Sequence, residues 1–222
     1  MASPYSPRYL FLFVFILLML AVFIQLGIIK IVFEKLGLSA DSAFLLLFSS
    51  LFGSAINLPL FKIQATRSEE QVPPWYLRSM LRMPNIEFTG ITTITANVGG
   101  CLIPFFFCLY LLNLYSLSLL EIFLSTSIVT AVSYVASRPV HGIGIGMPVF
   151  VAPITAALIA ILINPEQSAP IAYICGTMGV LIGADFFRLK DIRKMGVPVA
   201  SIGGAGTFDG IFITGIIAVL LA

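Results

Sequence analysis

The amino-acid sequence predicts an all-α membrane protein, a polytopic bundle of about seven transmembrane helices whose last span is broken by glycines. Apolar residues make up 59% of the 222 residues and charged residues only 10%, whereas soluble domains carry about 25% charged residues. Long apolar runs recur along the whole chain, and a bilayer leaves backbone groups without partners unless they form helices or closed barrels. We therefore expect residues 1–222 to form a single transmembrane domain.

Several apolar segments come close to the roughly 20 residues that a helix needs to cross the hydrocarbon core. The predicted spans are Tyr9–Phe33, Ala43–Phe61, Thr89–Leu112, Leu119–Ala136, Gly144–Ile163, Ala169–Phe187 and Val197–Ala222. The first run is longer than the core of a signal peptide, which favours a retained helix. Residues 62–88 are expected to form a cytoplasmic connection, with an amphipathic segment around Pro73 to Met83 lying in the membrane interface.

The basic residues are distributed unevenly between the two sides that these spans would create. One side collects Arg8, Lys62, Arg67, Arg78, Arg82, Arg138, Arg188, Lys190, Arg193 and Lys194. The opposite side holds only Lys30 and Lys35. Because short basic connections stay in the cytoplasm, the pattern predicts a multi-pass inner (plasma) membrane protein with a cytoplasmic N-terminus and an external C-terminus. Nucleic acid is not an expected partner, since the net charge is only +2.

Residue types that commonly serve in metal binding or nucleophilic catalysis are scarce. His141 is the only histidine, and Cys101, Cys108 and Cys175 lie singly within apolar runs. A zinc site or a Ser-His triad would have little to work with. The sequence therefore predicts neither a metal ion nor a cofactor, and the cysteines are interpreted as small buried apolar side chains.

Two aspartates stand apart from the other acidic residues, which fall in predicted connections or at helix ends. Asp185 lies near the end of the sixth predicted span, and Asp209 lies within the seventh. A carboxylate in the hydrocarbon region costs at least a few kcal/mol, so such a residue is a candidate functional residue by default.

A glycine-rich stretch before the second aspartate supplies the predicted binding residues. Gly203, Gly204 and Gly206 make a poor helix interior, and Thr207 is placed to cap a helix that begins after the break. An unwound stretch there would bring Asp209 towards the cytoplasmic face, where it could meet the carboxylate of the preceding span.

A pair of carboxylates in a low-dielectric site can hydrolyse a peptide without a metal ion or a histidine. Desolvation and like-charge repulsion keep one of the two protonated. The ionised partner can activate a water molecule while the protonated one donates to a carbonyl oxygen. The sequence therefore favours an aspartyl protease-like hydrolase near the cytoplasmic face, with Asp185 and Asp209 as the catalytic pair, membrane lipid as its surroundings and a transmembrane peptide as its substrate.

The placement of the two aspartates resembles that in the intramembrane aspartyl proteases, which include presenilin, signal peptide peptidase and the prepilin peptidases. The second motif of that family is Gly-x-Gly-Asp followed by apolar residues. Here Gly206-Thr-Phe-Asp209-Gly-Ile-Phe212 is similar, with Phe208 where the family has glycine, and the Pro-Ala-Leu motif of presenilin and signal peptide peptidase is absent. The resemblance implies peptide hydrolysis by Asp185 and Asp209.

Over its whole length the chain is similar to a small prokaryotic integral-membrane family of unknown function. The stretches that carry this resemblance are Arg138 to Ile145, Leu181 to Asp185 and Ser201 to Gly210. This second resemblance implies no activity.

Two other functions stay open on the sequence alone. Glycine-rich helix breaks also build ion and substrate sites in secondary transporters. In a proton- or cation-coupled small-molecule transporter or channel, Asp185 and Asp209 would be the proton or cation sites, and Asn57, Asn97 and Thr93 could add oxygen ligands. A non-catalytic membrane scaffold is the third interpretation, with Arg138 contacting a phosphate or lipid headgroup. Asp185 could also simply pair with Arg188 one turn later, and a homo-oligomer is left open.

Overall fold

A computed structural model gives the architecture of residues 15, 16, 18, 19, 22, 28–66, 89–140, 144–204 and 210–222. The helices in these residues are α1 (Ile28–Lys35), α2 (Ala40–Gly53), α3 (Ile103–Leu114), α4 (Leu119–Ala136), α5 (Val151–Ile163), α6 (Ser168–Val180), α7 (Leu189–Ile192) and α8 (Gly210–Leu221). The strands are β1 (Asn57–Gln64), β2 (Ile91–Asn97), β3 (Arg138–Val140), β4 (Gly144–Gly146) and β5 (Val199–Ile202). Two wider turns have π-helical geometry: Val98–Leu102 leads into α3, and Leu181–Phe186 continues α6.

The prediction of an all-α bundle of seven spans is wrong. Four predicted spans are each divided between a helix and a strand: Ala43–Phe61, Thr89–Leu112, Gly144–Ile163 and Val197–Ala222. In the part of the chain that the structure describes, Leu119–Ala136 and Ser168–Ile192 are the two helical stretches long and apolar enough to cross a membrane, which indicates membrane association. Four shorter apolar helices in the same part of the chain have 10–17 residues.

The physical reason for this error lies in the residues of the strands. Hydropathy reports a preference for leaving water and does not distinguish a helix from a strand in a short apolar run. β2 reads Ile-Thr-Thr-Ile-Thr-Ala-Asn, a run rich in the β-branched residues that favour strands. β1 contains Pro59, which a helix interior would not tolerate.

The three-stranded sheet joins segments that are far apart along the chain. Its order is β1-β2-β5. β1 pairs antiparallel with β2 and has an irregularity between Pro59 and Phe61, whereas β5 pairs parallel with β2, with Thr93 opposite Val199. Pro59 therefore lies on an edge strand, where a missing N–H is tolerated. A second, two-stranded sheet is the hairpin of β3 and β4.

The bundle has two ends of different character. The turn end consists of the connections 36–39, 115–118 and 164–167. There a Cβ on Gly37 would lie 2.8 Å from the Tyr115 hydroxyl oxygen, and Asn164 Nδ2 donates to Glu121 Oε2 at 3.2 Å. The opposite end, called the sheet end, carries both sheets and the short helix α7. At the sheet end Ile192, Met195 and Val197 pack against Ile94 of β2, with Ile145 of β4 beside them.

Small residues let the neighbouring helices approach α6 closely. A Cβ on Gly179 would lie 2.6 Å from Val129 Cγ1 of α4. A Cβ on Gly176 would lie 3.2 Å from the Cβ of Ala156 on α5 and 3.5 Å from Thr214 Cγ2 on α8. Close backbone approach of this kind is how helices pack where lipid removes the hydrophobic driving force between them.

Candidate functional site

Asp185 lies in the π-helical turn Leu181–Phe186, at the sheet end. Its carboxylate Oδ2 accepts a hydrogen bond from the backbone N–H of Gly203, with a donor–acceptor distance of 2.8 Å. The side chain is half-buried. The π geometry is visible in the bond from the Phe187 N–H to the Ile182 carbonyl oxygen, five residues earlier, at 2.9 Å. Such turns are frequent at functional sites, and this one holds the end of α6 against the turn that follows β5.

Arg188 does not pair with Asp185, although the sequence left that pairing open. Arg188 Nη1 donates to Asp191 Oδ2 at 3.0 Å, and Nη2 donates to the carbonyl oxygens of Tyr134 at 2.8 Å and Ser137 at 2.9 Å. Its guanidinium carbon also lies 4.2 Å from the centroid of the Tyr134 ring. Arg188 thus caps the C-terminus of α4, where carbonyl groups lack helical partners.

The turn that donates to Asp185 requires glycine for two reasons. Gly203 and Gly204 have φ values of 80° and 90°, a left-handed region that residues with a Cβ rarely adopt. In addition, a Cβ on Gly203 would lie 2.7 Å from both the Cβ and the backbone nitrogen of Cys101. Gly203 therefore sits directly on the π-helical turn Val98–Leu102.

Asn97 joins the broken segments through its side chain, which is only 1% exposed. Its Oδ1 accepts from the Gly100 N–H at 2.8 Å. Its Nδ2 donates to the Ser54 carbonyl oxygen at 2.7 Å and to Asn57 Oδ1 at 3.1 Å. Asn57 Oδ1 also accepts from Ser201 Oγ at 2.6 Å, so one network links the start of β1, the end of β2 and β5.

A second contact presses the π-helical turn Val98–Leu102 against α2. Ser50 Oγ donates to the Gly99 carbonyl oxygen at 2.6 Å. A Cβ on Gly99 would overlap the carbonyl oxygen of Ser50 and the backbone nitrogen of Ser54. The three chain segments that meet here, residues 50–57, 97–100 and 201–203, are called the junction below.

The structure brings together part of the predicted site. Asp185 and Gly203 are in direct contact, and Gly203 touches the turn that Asn97 caps. Arg138 is exposed on β3, opposite Gly146 in the hairpin, and is not part of the junction network. Three predicted site residues, Gly206, Thr207 and Asp209, lie outside the described residues. The 62–88 connection is described only as far as residue 66, so its amphipathic segment from Pro73 to Met83 lies outside them as well.

One residue of the junction, Ser201, was not predicted from the sequence, and Asn57 was predicted only as a possible oxygen ligand of a transported ion. Asn57 and Ser201 bind each other, and Asn57 also binds Asn97. The signal in the sequence was a polar side chain inside an apolar segment, close to a proline or glycine. Asn57 lies two residues before Pro59, and Ser201 lies two residues before Gly203.

The arrangement offers a fixed carboxylate beside a glycine-rich turn, with no described cluster of metal-ligand side chains. Among the described residues, no group of three or more His, Cys, Asp or Glu side chains could hold a metal ion. Beyond the glycines, α8 begins at Gly210, and Ile211 packs in one cluster with Leu181 and Ala184. Both described flanks of residues 205–209 therefore adjoin the turn that carries Asp185.

Comparison with known proteins gives the family and no more. No curated protein and no solved structure matches the chain, and nothing in the comparisons supports the resemblance to intramembrane aspartyl proteases. Residues 51–221 match the model of a family described as a protein of unknown function (DUF1614). The chain belongs to the DUF1614 family.

Proposed function

We propose that the protein is an aspartyl protease-like hydrolase of the membrane, in which Asp185 and Asp209 act as a pair near the sheet end. The observation that carries this proposal is the 2.8 Å hydrogen bond from the Gly203 N–H to Asp185 Oδ2. This bond fixes the Asp185 carboxylate against the glycine-rich segment that precedes Asp209 in the sequence.

The described neighbours of Asp209 support its place in the pair. Asp209 directly precedes Gly210 in the chain, and α8 begins at Gly210. Ile211 lies in the same buried cluster as Ala184, the residue before Asp185 in the chain. With Oδ2 of Asp185 bonded to Gly203, Oδ1 is the oxygen that would face a water molecule or the partner carboxylate.

The strand that precedes the glycines favours a peptide as the substrate. Among the described strands, β5 is paired on one side only, with β2. An extended peptide can add to such an edge through main-chain hydrogen bonds. Because β5 ends at Ile202, directly before Gly203, a peptide lying along it would run towards Asp185.

We place the sheet end on the cytoplasmic side of the inner membrane. The described basic residues at or next to the sheet end are Lys62, Arg138, Arg188, Lys190, Arg193 and Lys194, and the acidic ones are Asp185 and Asp191. Near the turn end the basic residues are Lys30 and Lys35, and the acidic ones are Glu34, Asp41, Glu121 and Glu166. Basic residues near membrane-spanning helices stay cytoplasmic, so this polarity supports the orientation.

The test is cleavage of single-span model peptides by the full chain reconstituted in liposomes. Asp185→Asn and Asp209→Asn should each reduce the rate by about a thousandfold or more, because members of a catalytic unit are not replaceable by one another. Asp191→Asn is the matched control: it removes a carboxylate at the same end that pairs with Arg188, and it should leave the rate nearly unchanged. Undiminished cleavage by either of the first two variants refutes the pair.

Coupled transport is the second candidate, and one observation favours it. Three segments change from helix to strand or glycine turn at the junction, between Gly53 and Asn57, between Asn97 and Ile103, and between Ile202 and Gly210. Discontinuous segments of this kind form the substrate and ion sites of secondary transporters. Proton or cation flux into liposomes that disappears in Asp185→Asn, without any peptide cleavage by the parent protein, would select this candidate.

A further inference from the structure

A short turn at the sheet end presents three basic side chains to the outside of the molecule. Lys190, Arg193 and Lys194 are all exposed. Among the described residues, no acidic side chain forms an ion pair with any of them. Residues 190–194 are called the basic turn.

Arg188, two residues before the basic turn, has a different role. Its guanidinium is engaged with Asp191, Tyr134 and Ser137. It therefore anchors the turn to α4 and neutralises Asp191, so that the charge left over on this surface is the positive charge of the other three side chains.

Two aromatic side chains border the basic turn on the side of α6. Phe186 is 60% exposed and Phe187 is 54% exposed. Phe187 also packs edge to face on Tyr134, with ring centroids 6.2 Å apart. Aromatic rings beside basic side chains are typical of the level at which a protein meets the lipid headgroups.

We propose that the basic turn docks on the phosphate groups of anionic phospholipids while Phe186 and Phe187 lie among the acyl chains beneath them. Lys190, Arg193 and Lys194 are exposed together on one short turn, which suits a plane of headgroups. A free phosphate ion would instead need donors that converge in a concave site. Charge complementarity with an anionic leaflet thus selects lipid as the occupant.

Spin-labelled phosphatidylglycerol tests the proposal in vesicles that contain the full chain and equal parts of phosphatidylcholine and phosphatidylglycerol. Electron spin resonance measures the association of the labelled lipid with the protein relative to labelled phosphatidylcholine. Replacing Lys190, Arg193 and Lys194 by glutamine should lower this preference by up to about fivefold per residue, the change that roughly 1 kcal/mol per basic residue near an anionic surface corresponds to. High salt should reduce the preference of the parent protein in the same direction.

The matched control is Lys35→Gln at the turn end. The Lys35 ammonium lies 3.5 Å from the Val219 carbonyl oxygen, and acidic residues predominate at that end, so its loss should leave the preference unchanged. Circular dichroism and the unfolding midpoint establish that each variant is folded. An unchanged preference in the folded triple variant contradicts the proposal, as does displacement of the labelled lipid by inorganic phosphate. The readout involves no peptide cleavage, so its outcome is independent of the proposed hydrolase.

Discussion

The helical core around α6 and the junction around Asn97 both bring backbone segments close together, but by different means. In the core, Gly176 and Gly179 let intact helices approach, and each helix satisfies its own backbone hydrogen bonds. At the junction the helices end, and side chains of Asn97 and Asp185 bind the backbone groups that are left over. Where lipid surrounds a protein, such groups need an internal partner. Polar side chains therefore gather where helices break, and those are the places that can carry chemistry.

The largest expected difference between the two regions concerns added methyl groups. At the junction, Gly99→Ala would push a Cβ into backbone atoms of Ser50 and Ser54, which cannot rotate away. In the core, Gly179→Ala would mainly meet the Val129 side chain, 2.6 Å from its Cγ1. Overpacking costs about 1–3 kcal/mol and occasionally more, so we expect about 4 kcal/mol for Gly99→Ala and about 2 kcal/mol for Gly179→Ala. Denaturant unfolding in micelles measures the free energy of unfolding of both variants. Equal losses would show that contact with backbone atoms is no more costly than contact with a side chain.

A second pair of variants, one at the junction and one outside it, separates the cost of crowding from the cost of backbone strain. Gly203 and Gly90 have φ values of 80° and 83°, but a Cβ on Gly90 would meet nothing within 4 Å. Gly90→Ala should therefore cost only the strain of a left-handed residue, about 1 kcal/mol. Gly203→Ala should cost about 3 kcal/mol in the free energy of unfolding, because crowding by Cys101 is added. Similar values for the two variants would show that the contact with Cys101 has no energetic weight.

Buried and half-buried asparagines provide the next comparison. Asn97→Ala leaves the Gly100 N–H and the Ser54 carbonyl oxygen without their partner inside the protein. A buried polar group left unsatisfied costs about 1–3 kcal/mol, so we expect a loss of about 2 kcal/mol. Asn164→Ala at the turn end removes bonds to Glu121 and Gln167, where water can replace them, and should cost about 1 kcal/mol or less. Unfolding experiments measure both losses. A larger loss for Asn164→Ala than for Asn97→Ala would show that the hydrogen bonds at the turn end stabilise the protein more than those at the junction.

The smallest effect concerns two arginines at the sheet end. Arg188→Lys keeps the charge but loses the planar fork that reaches Asp191 and the carbonyl oxygens of α4. We expect a loss of about 1 kcal/mol, comparable to that of a helix cap. Arg193 is exposed, and Arg193→Lys should leave the unfolding midpoint unchanged. Equal midpoints for the two variants would mean that the cap on α4 contributes nothing.

The regular helices were predictable from the sequence, whereas the sheet was not. The predicted span Leu119–Ala136 has the same bounds as α4, and Ala169–Phe187 covers nearly the same residues as α6 and its π-helical turn. Both segments are apolar over at least 18 residues, and that length favours a helix over a strand. β1, β2 and β5 lie within or overlap predicted spans because each is a short apolar run next to a helix or glycine turn. Their pairing is non-local: Thr93 lies opposite Val199, and no local pattern reveals such a partner.

Part of the candidate site was predictable for a similar reason. Asp185 stands out as a charged residue in an apolar run, and the glycines at 203 and 204 stand out as a helix break. Their contact depends on the backbone N–H of Gly203, which carries no sequence signal. The role of Asn97 was predicted as ligand binding, but its amide binds Ser54, Asn57 and Gly100. Only the fold shows that these groups are neighbours.

The most direct test of the central claim is cross-linking between positions 185 and 209. In a chain whose native cysteines are replaced by serine, Asp185→Cys and Asp209→Cys are introduced together and treated with a mild oxidant or a short bis-thiol reagent. We expect a rapid intramolecular cross-link, as fast as that of a control pair with Asn57→Cys and Ser201→Cys, whose native side chains lie 2.6 Å apart. A control pair that cross-links while the 185–209 pair does not would contradict a shared carboxylate site.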